Sequence, residues 1–225
     1  GERRQHAAAL YEGYLAQDPA PDGCPHEELR EERCVFHLDV SSKEPGAVRT
    51  RLVELATAGD LDAVVGAKVG DLDLFELAAE RPGLRELDLR YARVDGELSL
   101  SDATVPFRVR LTGARVSGDV VARDATFGKK FQLDRARIEG RCRFSGATFD
   151  GRATFNATEF EDAASFPRAT FGTDNAKFSN CLFHGKASFS EAEFRSKVDF
   201  PGVRFLGAVH LRNAQFRTAN VMGAT

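Results

Sequence analysis

At 225 residues, with 42% apolar and 29% charged side chains, the chain is long enough to bury a core and has neither a disordered nor a collagen-like composition. Its net charge of −3 hides an asymmetry: residues 1–80 carry 8 Lys/Arg against 17 Asp/Glu, whereas residues 81–225 carry 23 against 17. No apolar run approaches the roughly 20 residues that span a bilayer, and GERRQHAAAL lacks a secretory apolar core, so a soluble, cytoplasmic chain with no membrane insertion of its own is expected.

Residues 1–80 read as a small mixed or α-helical capping module. RRQHAAALYEGYLA has the composition of a short helix. CPHEELREERCVFH comes next, placing Cys24, His26, Cys34 and His37 in C-x-H…C-x-x-H order. Two thiolates and two imidazoles are a tetrahedral Zn²⁺ donor set, and a structural zinc would supply folding energy to a segment poor in apolar residues. A Cys24–Cys34 disulfide is the alternative, disfavoured in a reducing compartment, and His6 could replace one ligand. EPGAVRTRLVELATAG then sets Val48, Leu52 and Leu55 at helical spacing with Gly59 as its stop. GDLDLFELAAE alternates Leu72 and Leu74 like a strand entering the first coil of the repeat that follows.

Residues 81–225 are a repeat. Large apolar residues recur at alternating steps of five and six from Leu89 and Val94 through Phe149, Phe155, Phe160, Phe166 and Phe171. After one seven-residue step at GTDNAK, read as a tolerated slip at a corner, the series resumes from Phe178 to Phe216. A small residue, mostly Ala, stands two positions before most members; Cys142 and Cys181 take that place before Phe144 and Phe183 and read as small buried residues rather than nucleophiles. A helix is excluded, because a step of five turns side chains about 140° apart and the interior Gly and Pro would each cost about 1–3 kcal/mol. A coil of very short strands with tight corners fits: large and small residues alternate inward with period two, and each Phe stacks on those of the coils above and below.

The ATF, AEF and AQF units at this spacing resemble the pentapeptide-repeat proteins, in the divergent F-x-G-x-A-x-F form. The resemblance implies an all-β solenoid, a right-handed quadrilateral β-helix with 22 residues per coil and about six coils between Leu89 and Met222. A Cys/His segment ending in C-x-F-H, then GDLDL, then the repeats, is similar to archaeal members whose repeats precede membrane channel-like segments.

No residue set proposes catalysis: there is no P-loop or G-x-S-x-G, and His184 and His210 fall at outward positions far apart in sequence. A 22-residue coil places Arg93, Arg115 and Arg137 at one outward position on successive coils, and Arg143 adds to the basic character of this half. Either acids such as Asp95, Asp119, Asp134 and Glu139 compensate this ladder or an anionic partner does. The leading expectation is a non-enzymatic scaffold or regulatory domain, partnered by another protein or by a membrane segment of the same protein. The uncapped coil Leu211–Met222 should pair with such a segment or with a second copy, giving a homodimer. Two alternatives stand beside it. Topoisomerase (gyrase) binding, as in the family's DNA-mimicking members, sits poorly with a positive repeat half; nucleic-acid binding through the Arg ladder lacks exposed aromatics and a reading element.

Overall fold

The computed structural model describes residues 28–30, 33–44, 46–58, 64–80, 84–172 and 174–225. Its main body is a parallel β-solenoid built from strands of mostly two residues. Two of its faces are sheets of seven strands each, running from Lys68–Val69 to Arg204–Phe205 and from Leu72–Asp73 to Val209–His210. The third and fourth faces start at Thr104–Val105 and at Glu86–Asp88. They merge where Glu193–Asp199 and Gln215–Asn220 run continuously around one corner.

Each coil lies directly on the one before. Val116 pairs with Val94 and Ile138, 22 residues either way. The spacing becomes 23 where Leu182 pairs with Glu159 and Lys177 with Thr154, so the additional residue is confined to the corner beyond Phe171 and the register recovers at once. The stack begins at Lys68, inside the segment expected to serve as cap, and so has seven layers where about six coils were expected. The five–six rhythm missed the first layer because helix α2, Phe75–Glu80, replaces the third-face strand of that turn. It packs against Thr104–Val105 and covers an edge that would otherwise offer unpaired backbone groups. Helix α1, Ala47–Ala58, forms as its apolar spacing predicts, and buries Val48, Leu52 and Leu55 in the same core; Gly59, its expected stop, and the N-terminal RRQHAAALYEGYLA lie outside the described residues.

The phenylalanines form columns. Phe127, Phe149, Phe171, Phe194 and Phe216 stack face to face, successive centroids 4.5–5.0 Å apart. Phe144, Phe166 and Phe189 make a second column at 5.0–5.1 Å, and Phe155, Phe178 and Phe200 a third at 4.7–5.1 Å. Neighbouring columns meet edge to face, as at Phe144 and Phe155. Each fully buried ring contributes about 1.5–3 kcal/mol by leaving water, and the stacked and edge contacts add about 0.5–1.5 kcal/mol per pair. One coil keeps its interior volume by exchange: it carries Ala122 beneath Phe144, but Phe131 between Val109 and Ala153.

The corners have their own period. Every eleven residues, in step with the repeat, a residue takes positive φ: Tyr91, Asp102, Gly113, Asp124 and Arg135 begin the series. The corner at Arg135 is closed by the Ala136 N–H donating to the Leu133 carbonyl. Left-handed backbone costs an L-residue about 1–2 kcal/mol, least for Asp and Asn, yet the packed columns hold Arg135, Ala157, Arg168 and Glu191 there.

Candidate functional site

The N-terminal module places two of its four expected metal ligands together. Cys34 and His37 face each other across a tight turn in which the N–H groups of His37 and Leu38 both donate to the Cys34 carbonyl. Sγ lies 3.2 Å from Nδ1, and both residues are buried. Tetrahedral zinc separates a thiolate from an imidazole nitrogen by about 3.5 Å, so the pair is within a few tenths of an ångström of that geometry. The remote ring nitrogen, Nε2, meets the Val65 carbonyl at 3.1 Å, which fixes the ring and turns Nδ1 towards the sulfur, as the outer hydrogen bond of a ligating histidine does. Lys43 reaches the backbone carbonyls of Lys68 and Phe36 nearby, and burial pulls its ammonium down to about 8, with Cys34 opposing and Lys68 adding to the shift. Cys24 and His26, the other half of the expected set, lie outside the described residues, as does His6.

Cys142 and Cys181 take the places expected of them. Both are buried among the small-residue positions, and burial pushes both thiols far above their ordinary value. Cys181 donates to the Phe155 carbonyl. Neither is available as a thiolate nucleophile.

The arginine ladder exists as a register. Arg93, Arg115 and Arg137 are exposed and consecutive in one column, preceded by Lys68 and followed by Glu159. It is partly neutralised: Arg93 pairs with Asp95 at 2.8 Å, and Arg137 with Glu159 at 3.0 Å and Glu161 at 2.7 Å. Arg115, between two like charges, makes no ion pair among the described residues. Arg143 stands on the next face, bonded to Asp119, so the four arginines do not form one patch.

The ladder ends in a group that the repeat register could have indicated. Glu159, Glu161 and His184 bring their ligating atoms within 4.8 Å of one another. Arg137 already binds both carboxylates, and His184 Nε2 lies 3.1 Å from Glu159, which makes this an ion-pair cluster.

The C-terminal coil is unlike the rest of the rod. Leu206, Leu211, Val221 and Met222 are 50–77% exposed, and Val209 and Phe216 are also open to solvent. Arg204, Arg212 and Arg217 surround them, and no acid lies between residues 200 and 225. Among the described residues, no helix is long and apolar enough to cross a membrane.

A family model for pentapeptide repeats (nine copies) matches residues 133–176 and 178–225. The coils before residue 133 share the register but carry Leu and Val at most column positions where the later ones carry Phe. No curated protein and no solved structure matches the chain.

Proposed function

Residues 133–225 belong to the pentapeptide-repeat family, and from that premise we propose that the chain is a non-enzymatic interaction scaffold whose contact surface is its C-terminal coil. The observation that carries this reading is the apolar surface around Leu211 and Met222, exposed among the described residues, while the large apolar side chains of the preceding coils are buried apart from Phe75. The sheet edge at this coil is a template on which a further segment of polypeptide pairs. Its rim is cationic, whereas residues 1–80 of the same sequence are strongly acidic. A second copy contributing that acidic segment therefore fits the charge, and two basic coils stacked end to end do not. The same surface would serve a regulatory domain of a channel-like membrane protein, the setting implied by the resemblance of the N-terminal segment. Topoisomerase binding by DNA mimicry finds no support in a repeat that bears exposed arginine columns.

The test is native mass spectrometry and light scattering over a wide concentration range at low and high salt. Self-association that weakens with salt, and is lost in Leu211→Glu, is the expected result. A monomer under every condition would overturn the self-assembly reading.

We further propose that Cys24, His26, Cys34 and His37 hold a structural zinc. The juxtaposed Cys34 and His37, with the ring anchored from behind by Val65, supports it.

A further inference from the structure

A second basic column runs along the fourth face, away from the ladder that the sequence brought forward. Arg108, Lys130 and Arg152 occupy one outward position on three successive coils: Val109 N–H donates to the Lys130 carbonyl and Phe131 N–H to that of Arg152. With layers about 4.8 Å apart, three cations fall within about 10 Å. Arg110 flanks them, and together they line a groove of about 860 Å³.

The charges in this groove are only partly cancelled from within. Glu86 is shared, 2.9 Å from Arg110 and 3.8 Å from Arg108, and Asp88 lies 3.6 Å from Arg110. Lys130 and Arg152 make no ion pair among the described residues. The Lys130 ammonium is pulled below its ordinary value first by burial, then by Arg152, Arg110 and Arg108, with Asp134 acting the other way. Arg110 Nε is buried and has no acceptor among the described residues. Three stacked cations, two of them without an ion pair among the described residues, are a donor arrangement that phosphate oxygens satisfy.

The shape selects among anions. Along the rod axis, Glu86 stands one layer before Arg108, and Asn175 follows Arg152 in the column with Asp174 beside it. A polymer running along the face would cross Glu86 and Asp174 as well as the cations, whereas a compact anion centred on Arg108, Lys130 and Arg152 faces three cations with Asp150 beside them. We propose that this groove is a binding site for a small polyphosphate, with Arg108, Lys130 and Arg152 each taking phosphate oxygens.

The experiment is calorimetric titration of the full chain with inorganic tripolyphosphate at low ionic strength, with orthophosphate and an oligonucleotide as comparison probes. Expected are one site per chain, tighter binding of tripolyphosphate than of either comparison probe, and a loss of affinity of at least about tenfold in Lys130→Glu and in Arg152→Glu. Lys186→Glu, on an exposed site of another face, should bind as the parent does. Circular dichroism of each variant verifies the fold. The proposal is overturned if tripolyphosphate does not bind, if Lys186→Glu weakens it equally, or if the oligonucleotide binds more tightly. The last result would assign the groove to a polymer.

Discussion

Phe171 and Phe194 lie ring over ring, centroids 4.5 Å apart and planes 1° from parallel, although 23 residues separate them where the columns otherwise repeat at 22. The aromatic column is thus the rigid element and the corner the compliant one. Phe149, stacked on Phe127 and Phe171, should be among the most costly positions to truncate: Phe149→Ala is expected to lower unfolding free energy by about 3–5 kcal/mol. Phe216 is partly exposed and, among the described residues, stacks on Phe194 alone, so Phe216→Ala should cost about 1 kcal/mol or less. Urea unfolding of both variants checks the contrast; equal losses would mean that the column does not hold the stack together.

Replacing Ala by Gly should have opposite signs at two positions four residues apart. Ala157 sits at φ 55°, where Gly is unstrained, so Ala157→Gly is expected to raise stability by about 0.5–1 kcal/mol. Ala153 lies buried in a strand, and Ala153→Gly should lower it by a similar amount through backbone freedom and lost packing. Thermal unfolding of the pair settles the sign.

The sequence carried the columns because the 22-residue coil imposes one residue class on each register position; Phe149 and Phe171 could be aligned by counting alone. The strand at Leu72 was legible as the entry to the stack, but the helix that follows was not, since α2 has no five–six rhythm and only its packing on Thr104–Val105 reveals that it replaces a strand. The groove was hidden differently. Arg108, Lys130 and Arg152 keep the same 22-residue spacing as the first ladder, but the change from Arg to Lys breaks the run of one residue type that makes such a column visible. Cys34 and His37 were legible as a pair because a C-x-x-H turn brings its ends together; nothing in local spacing fixes where Cys24 and His26 lie.

Arg115 stands between Arg93 and Arg137 and makes no ion pair among the described residues. Reversing its charge should therefore stabilise the rod, and Arg115→Glu is expected to gain about 0.2–1 kcal/mol at low salt. The gain should shrink in 0.5 M salt, roughly, as the Debye length falls to a few ångströms. Chemical denaturation at two ionic strengths reads both effects, and a loss of stability would show that the column is not under electrostatic tension.

Asp119 gives a dependence on acid. Burial pushes its carboxyl up, but the Arg141 N–H and the Arg143 guanidinium outweigh this and hold it below the usual carboxylate value. A carboxyl depressed in the folded state binds fewer protons there than in the unfolded chain. Its contribution is therefore present above about pH 4, the unfolded value, and is lost as pH falls through the lower folded value. Asp119→Asn should be less stable than the parent at neutral pH and approach it below roughly pH 3. A difference independent of pH would show that the charge plays no part.

The zinc proposal can be separated from a plain buried Cys–His hydrogen bond. If metal organises the module, the purified chain should carry one zinc, and Cys34→Ser and His37→Ala should each lose it. Cys142→Ser, deep in the solenoid, should retain it. Chelation should destabilise the N-terminal module before the β-helix, because binding energy is part of folding energy in a small segment of this kind. Melting curves with and without chelator should then differ in an early transition and coincide in the late one. A metal-free chain whose two curves coincide throughout would leave Cys34 and His37 as a hydrogen-bonded pair that closes a turn beneath Val65.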